Sequence, residues 1–109
     1  GHSYLVAKMG EVSMEFLREN VDRLKDKLGS GVVLLGAEQD GKVNFVAGVT
    51  SDLTSLVKAS EIVKTAAAIA GGGGGGRPEL AQAGGKKVEK IDQALKEGER
   101  LIQAKLEGK

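Results

Sequence analysis

With 109 residues, the chain amounts to one domain, long enough to bury about two-thirds of its unfolded surface in a single core. It has no cysteine and one histidine, His2 beside the first residue, which excludes a disulfide framework and a thiolate- or imidazole-based metal centre within the chain. A net charge of +1 excludes a globally basic surface, and one tyrosine, two phenylalanines and no tryptophan make aromatic stacking a poor basis for recognition.

Gly1-His2-Ser3 reads as a cloning remnant, and residues 4–109 as one globular domain. Tyr4 to Lys8 forms a short apolar run that predicts a first strand. Ser13 is a natural N-cap, with Glu15 in the following turn where a helix favours an anion. Phe16, Leu17, Val21, Leu24 and Leu28 recur at helical spacing, and Gly29 supplies the stop. The other face carries Arg18, Glu19, Asp22, Arg23, Lys25 and Lys27 and reads as solvated surface.

Gly31 to Ala37 is a β-branched and apolar run, and Lys42 to Val49 alternates Val43, Phe45 and Ala47 with Lys42, Asn44 and Val46. Asp40-Gly41 between them is a hairpin signal, since both turn positions require φ > 0. Thr50 or Ser51 caps a next helix, with Leu53, Leu56 and Val57 as its stripe. Ser60 reads as a second N-cap, opening a helix through Ile62, Val63, Ala66, Ala67, Ile69 and Ala70. After the glycine segment, Val88, Ile91, Leu95, Ile102 and Leu106 make the stripe of a last helix. Gly98 lies on that stripe and predicts close approach of another backbone. The expected fold is α+β (α/β-like), a small mixed sheet with helices packed on it and a glycine-rich loop at one edge before the last helix.

That segment, GGGGGGRPELAQAGG over residues 71–85, stands apart. Ordering six consecutive glycines costs on the order of 10 kcal/mol of backbone entropy, so tertiary hydrogen bonds or a ligand must offset it. A flexible linker is one account of the composition. An anion-binding concavity of successive N–H groups, with Arg77 supplying charge, is the other. No Gly-Lys-Ser/Thr follows, so it is not a P-loop, and a helix rather than a strand precedes it, unlike a dinucleotide fingerprint. Lys86 and Lys87 add local positive charge just before the last helix, and Gln82 offers an amide to a phosphate or ribose. The serines and threonines have no internal histidine to activate them, and no carboxylate cluster suggests a two-metal site, so no catalytic centre is expected.

GGGGGGRPELAQAGG resembles the motif near the C-terminal end of bacterial alanyl-tRNA synthetases, GG-x-GGGRP-D/E-x-AQAGG. The upstream GKVNFVAGVTSDLTSLVKASEIV and the closing VEKIDQALKEGERLIQAKL resemble the same family in the same order, so the resemblance covers residues 4–107. A related domain accompanies DHH-family phosphoesterases, which carry histidine where Arg77 stands; Arg77 with Ala81-Gln82-Ala83-Gly84-Gly85 is similar to the synthetase branch. Many synthetases carry lysine in place of Gly73, which leaves any phosphate contact there to backbone amides.

The resemblance implies a C-terminal domain that holds tRNA, at the outer corner of its L, and helps aminoacylation and editing modules act on one alanine-specific tRNA. It implies a cytoplasmic parent that uses ATP, Mg²⁺ and zinc in modules absent from this chain, which itself takes no cofactor and no metal, and that self-associates through a preceding segment. The residues expected to touch the tRNA backbone are Gly72, Gly73, Gly74, Gly75, Gly76, Arg77, Gln82, Lys86 and Lys87. Two other expectations stand beside this one: a single-stranded nucleic-acid-binding accessory domain, and a dimerisation or docking module.

Overall fold

The computed structural model describes residues 3–107. Gly1 and His2, assigned above to a cloning remnant, lie outside them, whereas Ser3 opens the first strand. The order is β1 (Ser3–Lys8), α1 (Met14–Leu28), β2 (Gly31–Gln39), β3 (Lys42–Val49), α2 (Ala59–Ile69), β4 (Gly73–Gly76), β5 (Leu80–Gly85) and α3 (Ile91–Leu106). Single 3₁₀ turns, Ser51–Leu53 and Val88–Lys90, precede α2 and α3. The five strands form one sheet in the order β1-β2-β3-β5-β4, in which β1 runs parallel to β2 and the other pairs are antiparallel. This is the expected α+β class with a mixed sheet.

Local chemistry accounts for most elements. The Ser13 hydroxyl accepts the Phe16 N–H at 3.1 Å, and Gly29 ends α1 at φ 72°. Asp40 and Gly41 turn the central hairpin with φ of 53° and 77°, as a two-residue type I′ turn requires. Side chains alternate across the sheet into two layers. Val32, Leu34, Val43, Phe45 and Ala47 meet α2 and α3 on one face. Val33, Leu35, Ala37 and Val46 meet Leu17 and Val21 of α1 on the other. Each such burial of a large side chain contributes about 1.5–3 kcal/mol.

Several details differ from expectation. Thr50 and Ser51 open only the single 3₁₀ turn Ser51–Leu53, with no side-chain cap, and Phe16 and Leu56, expected on apolar stripes, are exposed. Ser60 lies inside α2; the cap position is Lys58, whose backbone N–H donates to Glu61 Oε1 at 3.3 Å. Gly98 approaches a side chain, not a backbone: a Cβ there would fall 2.5 Å from Leu34 Cδ2. The glycine run, expected as a loop, is instead the edge strand β4, hairpinned onto β5. Its position at one edge of the sheet is as expected; its form is strand because β5 offers a row of backbone partners that the sequence does not reveal.

Candidate nucleic-acid interface

Hydrogen bonds at both ends hold the β4–β5 hairpin. At its base, Gly72 N–H donates to the Ala67 carbonyl at 2.8 Å, and the N–H groups of Lys86 and Lys87 both donate to the Ala70 carbonyl at 2.9 Å. At its tip, the Arg77 N–H donates to Leu80 O at 3.0 Å, and the Pro78 carbonyl accepts Ala59 N–H at 2.8 Å. The Glu79 carbonyl accepts both the Val49 N–H at 2.9 Å and Lys25 Nζ at 3.2 Å. The segment is anchored to three other parts of the fold, which is not how a linker behaves.

In an antiparallel ladder, bonded and non-bonded residue pairs alternate. Arg77 and Leu80 are bonded, so Gly75 with Gln82 and Gly73 with Gly84 are the next bonded pairs along the register. The amides of Gly74 and Gly76 therefore point to the open edge. Of the five glycine amides in the expected contact set, Gly72, Gly73 and Gly75 are engaged within the protein, and two remain directed outward. Within the ribbon, the amides left open to an anion from outside are thus those of Gly74 and Gly76. All five residues still lie near the surface: Gly72, Gly73, Gly74 and Gly76 are exposed and Gly75 is half-buried.

Sterics divide the same glycines differently. A Cβ at Gly72 would lie 1.9 Å from the Gly84 carbonyl oxygen, one at Gly74 2.5 Å from Ala83 Cα, and one at Gly76 2.8 Å from Ala81 Cα. These three positions admit no side chain because β4 rides against the backbone of β5. A Cβ at Gly73 meets nothing within 4 Å, and one at Gly75 makes only ordinary contact, 3.4 Å from Lys64 Cε. Internal packing thus dictates glycine at alternate positions.

The expected cations do not form one cluster. Arg77 stands at the hairpin tip, and Lys86 and Lys87 at the far end of β5, whose six residues span about 20 Å. All three are exposed, as is Gln82 midway between them. Arg77 makes no ion pair with Glu61 or Glu79; among the described residues the ion pairs are Lys8 with Asp92 and Glu97 with Arg100. The N-terminus of α3 adds nothing to this surface. Ile91 borders a hollow shared with Lys8, Glu11 and Glu38, and Asp92 pairs with Lys8.

Two shallow clefts flank the ribbon. One, of about 270 Å³, is lined by Gly75, Gly76, Arg77, Leu80, Ala81, Gln82 and Arg18. The other, of about 230 Å³, joins Gly71, Gly72, Gly84, Gly85 and Lys86 to Lys42, Val43 and Asn44. Arg18, Lys42 and Asn44 were not singled out from the sequence, because only the folded sheet brings them to β5. No acidic side chain lines either cleft. Among the described residues, no group of three or more His, Cys, Asp or Glu could hold a metal ion, and no helix is long and apolar enough to cross a membrane.

The model of the DHHA1 domain family matches residues 1–104. The alanine–tRNA ligase of Acetivibrio thermocellus is 48% identical over 109 residues, which cover 99% of this chain and 12% of that protein. That of Bacillus subtilis is 50% identical over 96 residues, 87% of this chain and 11% of that protein. The chain thus spans about an eighth of the length of these relatives. The crystal structure of the C-Ala domain of Aquifex aeolicus alanyl-tRNA synthetase matches with a TM-score of 0.84 and 33% identity, over 93% of this chain and 91% of that one. The chain belongs to the DHHA1 domain family, among the C-Ala domains of alanyl-tRNA synthetases.

Proposed function

We propose that this domain binds tRNA for an alanine–tRNA ligase, gripping the sugar-phosphate backbone along the β4–β5 hairpin. The observation that carries this is an exposed strand bare of side chains, with the Gly74 and Gly76 amides directed outward and cations at both ends. Such an edge lets a phosphate reach backbone donors that side chains would otherwise screen, and contacts of this kind position a nucleic acid without reading its sequence. Arg77, Gln82, Lys86 and Lys87 are the side chains assigned to it. The open space at Gly73 fits the resemblance too, since a lysine there in other members would project outward beside the same edge.

In the parent enzyme the bound tRNA, held at its outer corner, would be shared by an aminoacylation module using ATP and Mg²⁺ and a zinc-bearing editing module. That chain would work in the cytoplasm, with alanine-specific tRNA as its partner, and would self-associate outside this domain. The test is binding of transcribed tRNA over a salt series. The native domain should bind with affinity falling steeply as salt rises. Arg77→Ala should weaken binding about tenfold and lower the salt slope by about one. Unchanged affinity in Arg77→Ala removes Arg77 from the interface. Preference for single-stranded DNA over tRNA in competition would favour the accessory-nuclease alternative.

A further inference from the structure

Beyond the hairpin itself, we infer that Arg18 of α1 forms a phosphodiester-binding subsite with Arg77 and Gln82, so that the RNA backbone crosses the α1 face of the hairpin rather than the α2 face. The inference rests on the tRNA-binding function proposed above. Arg18 belongs to a helix that packs beneath β2 and β3, where Leu17 and Val21 are fully buried. That helix ends short of the outer sheet margin. Leu80 packs at its rim, and Gln82, two residues further along β5, is exposed on the same face.

One flank of α1 is turned toward this uncovered margin. Lys25 reaches from it to the Glu79 carbonyl at the hairpin tip. Arg18 stands seven residues earlier, two helical turns along the same flank, and lines the cleft with Gly75, Gly76, Arg77 and Gln82. The cleft therefore brings together two arginines, one from α1 and one from the hairpin tip, with Gln82 and the glycine backbone of Gly75 and Gly76. Neither Arg18 nor Arg77 is held in an ion pair, and both are exposed. Glu15, Glu19 and Asp22 share a separate hollow with Arg18 and do not line this cleft. Two arginines without ion pairs on the lining of one cleft suit an oxygen-rich tetrahedral anion, which guanidinium binds through two parallel hydrogen bonds.

Lys64 is the natural control. It lies on α2, the helix packed on the other face of the sheet from α1, and its Cε reaches to 3.4 Å from where a Gly75 Cβ would stand, so it brings a cation to the same ribbon without lining the Arg18 cleft. Arg18→Gln and Lys64→Gln each remove one exposed charge from a helix surface, so neither should disturb folding. With transcribed tRNA, Arg18→Gln should weaken binding about tenfold and lower the salt slope by about one, while Lys64→Gln changes affinity less than about twofold. Arg18→Gln combined with Arg77→Gln should lose less than the product of the single losses, because the two share one phosphate. Inorganic phosphate at matched ionic strength should leave RNA binding in place; displacement by it would reassign the cleft to free phosphate. An effect of Arg18→Gln no larger than that of Lys64→Gln would overturn the inference while leaving tRNA binding by the hairpin intact. Failure of the native domain to bind tRNA would overturn both.

Discussion

The β2–β3 and β4–β5 hairpins lie next to each other in one sheet, joined by the β3–β5 ladder, yet side chains hold the first and backbone holds the second. In β2 and β3 the positions from Gly31 to Ala37 and from Phe45 to Val49, with Val43, are buried, and apolar groups fill both layers. In β4 there are no side chains to bury, and what fixes the strand is its register with β5 and its anchors to α2. The first hairpin is a stability element that tolerates no loss of volume. The second is an exposed edge, and its glycines are required where β5 crowds them rather than wherever they occur.

That contrast can be broken most forcefully in the core. Phe45→Ala should destabilise the domain by about 3–5 kcal/mol, read as a lower urea midpoint at unchanged slope. Next, Gly74→Val forces a Cβ to within 2.5 Å of Ala83 Cα. It should cost about 1–3 kcal/mol and release β4 from β5, seen as loss of protection of the Gly73 and Gly75 amides in hydrogen exchange. A stable Gly74→Val with those amides still protected would show that the close approach is not what selects glycine. The smallest effect sharpens the comparison from the other side. Gly73→Ala meets open space and should stabilise by about 0.4–1 kcal/mol, by restricting the unfolded chain, with a small rise in Tm.

Legibility in the sequence followed the same divide. The α1 stripe of Leu17, Val21, Leu24 and Leu28, its Ser13 cap, the Gly29 stop and the Asp40-Gly41 turn were readable because each is a local rule expressed in side-chain type, whereas Phe16, read as part of that stripe, is exposed. The strand character of Gly73–Gly76 was not, because a run of glycine carries no hydrophobic period and its conformation is set by a partner strand. The resemblance to alanyl-tRNA synthetases marked this segment without revealing its form. Arg18 was hidden for a related reason. On a helical wheel it belongs to a charged face indistinguishable from solvated surface, and only the sheet order brings that flank of α1 alongside β5. Similarly, Ser60 resembles a cap by residue type, but the cap lies two residues earlier, at Lys58, where Glu61 can bond the Lys58 amide.

The two ends of the glycine ribbon are pinned, at the Ala67 and Ala70 carbonyls below and through Pro78 and Glu79 above. Folding has thus already met the entropic demand of those glycines before any partner arrives. If the ribbon binds RNA as proposed, capture need not wait for a disordered segment to find its shape. Encounter rates should be governed by diffusion and charge, rising as salt is lowered, and show no slow conformational phase.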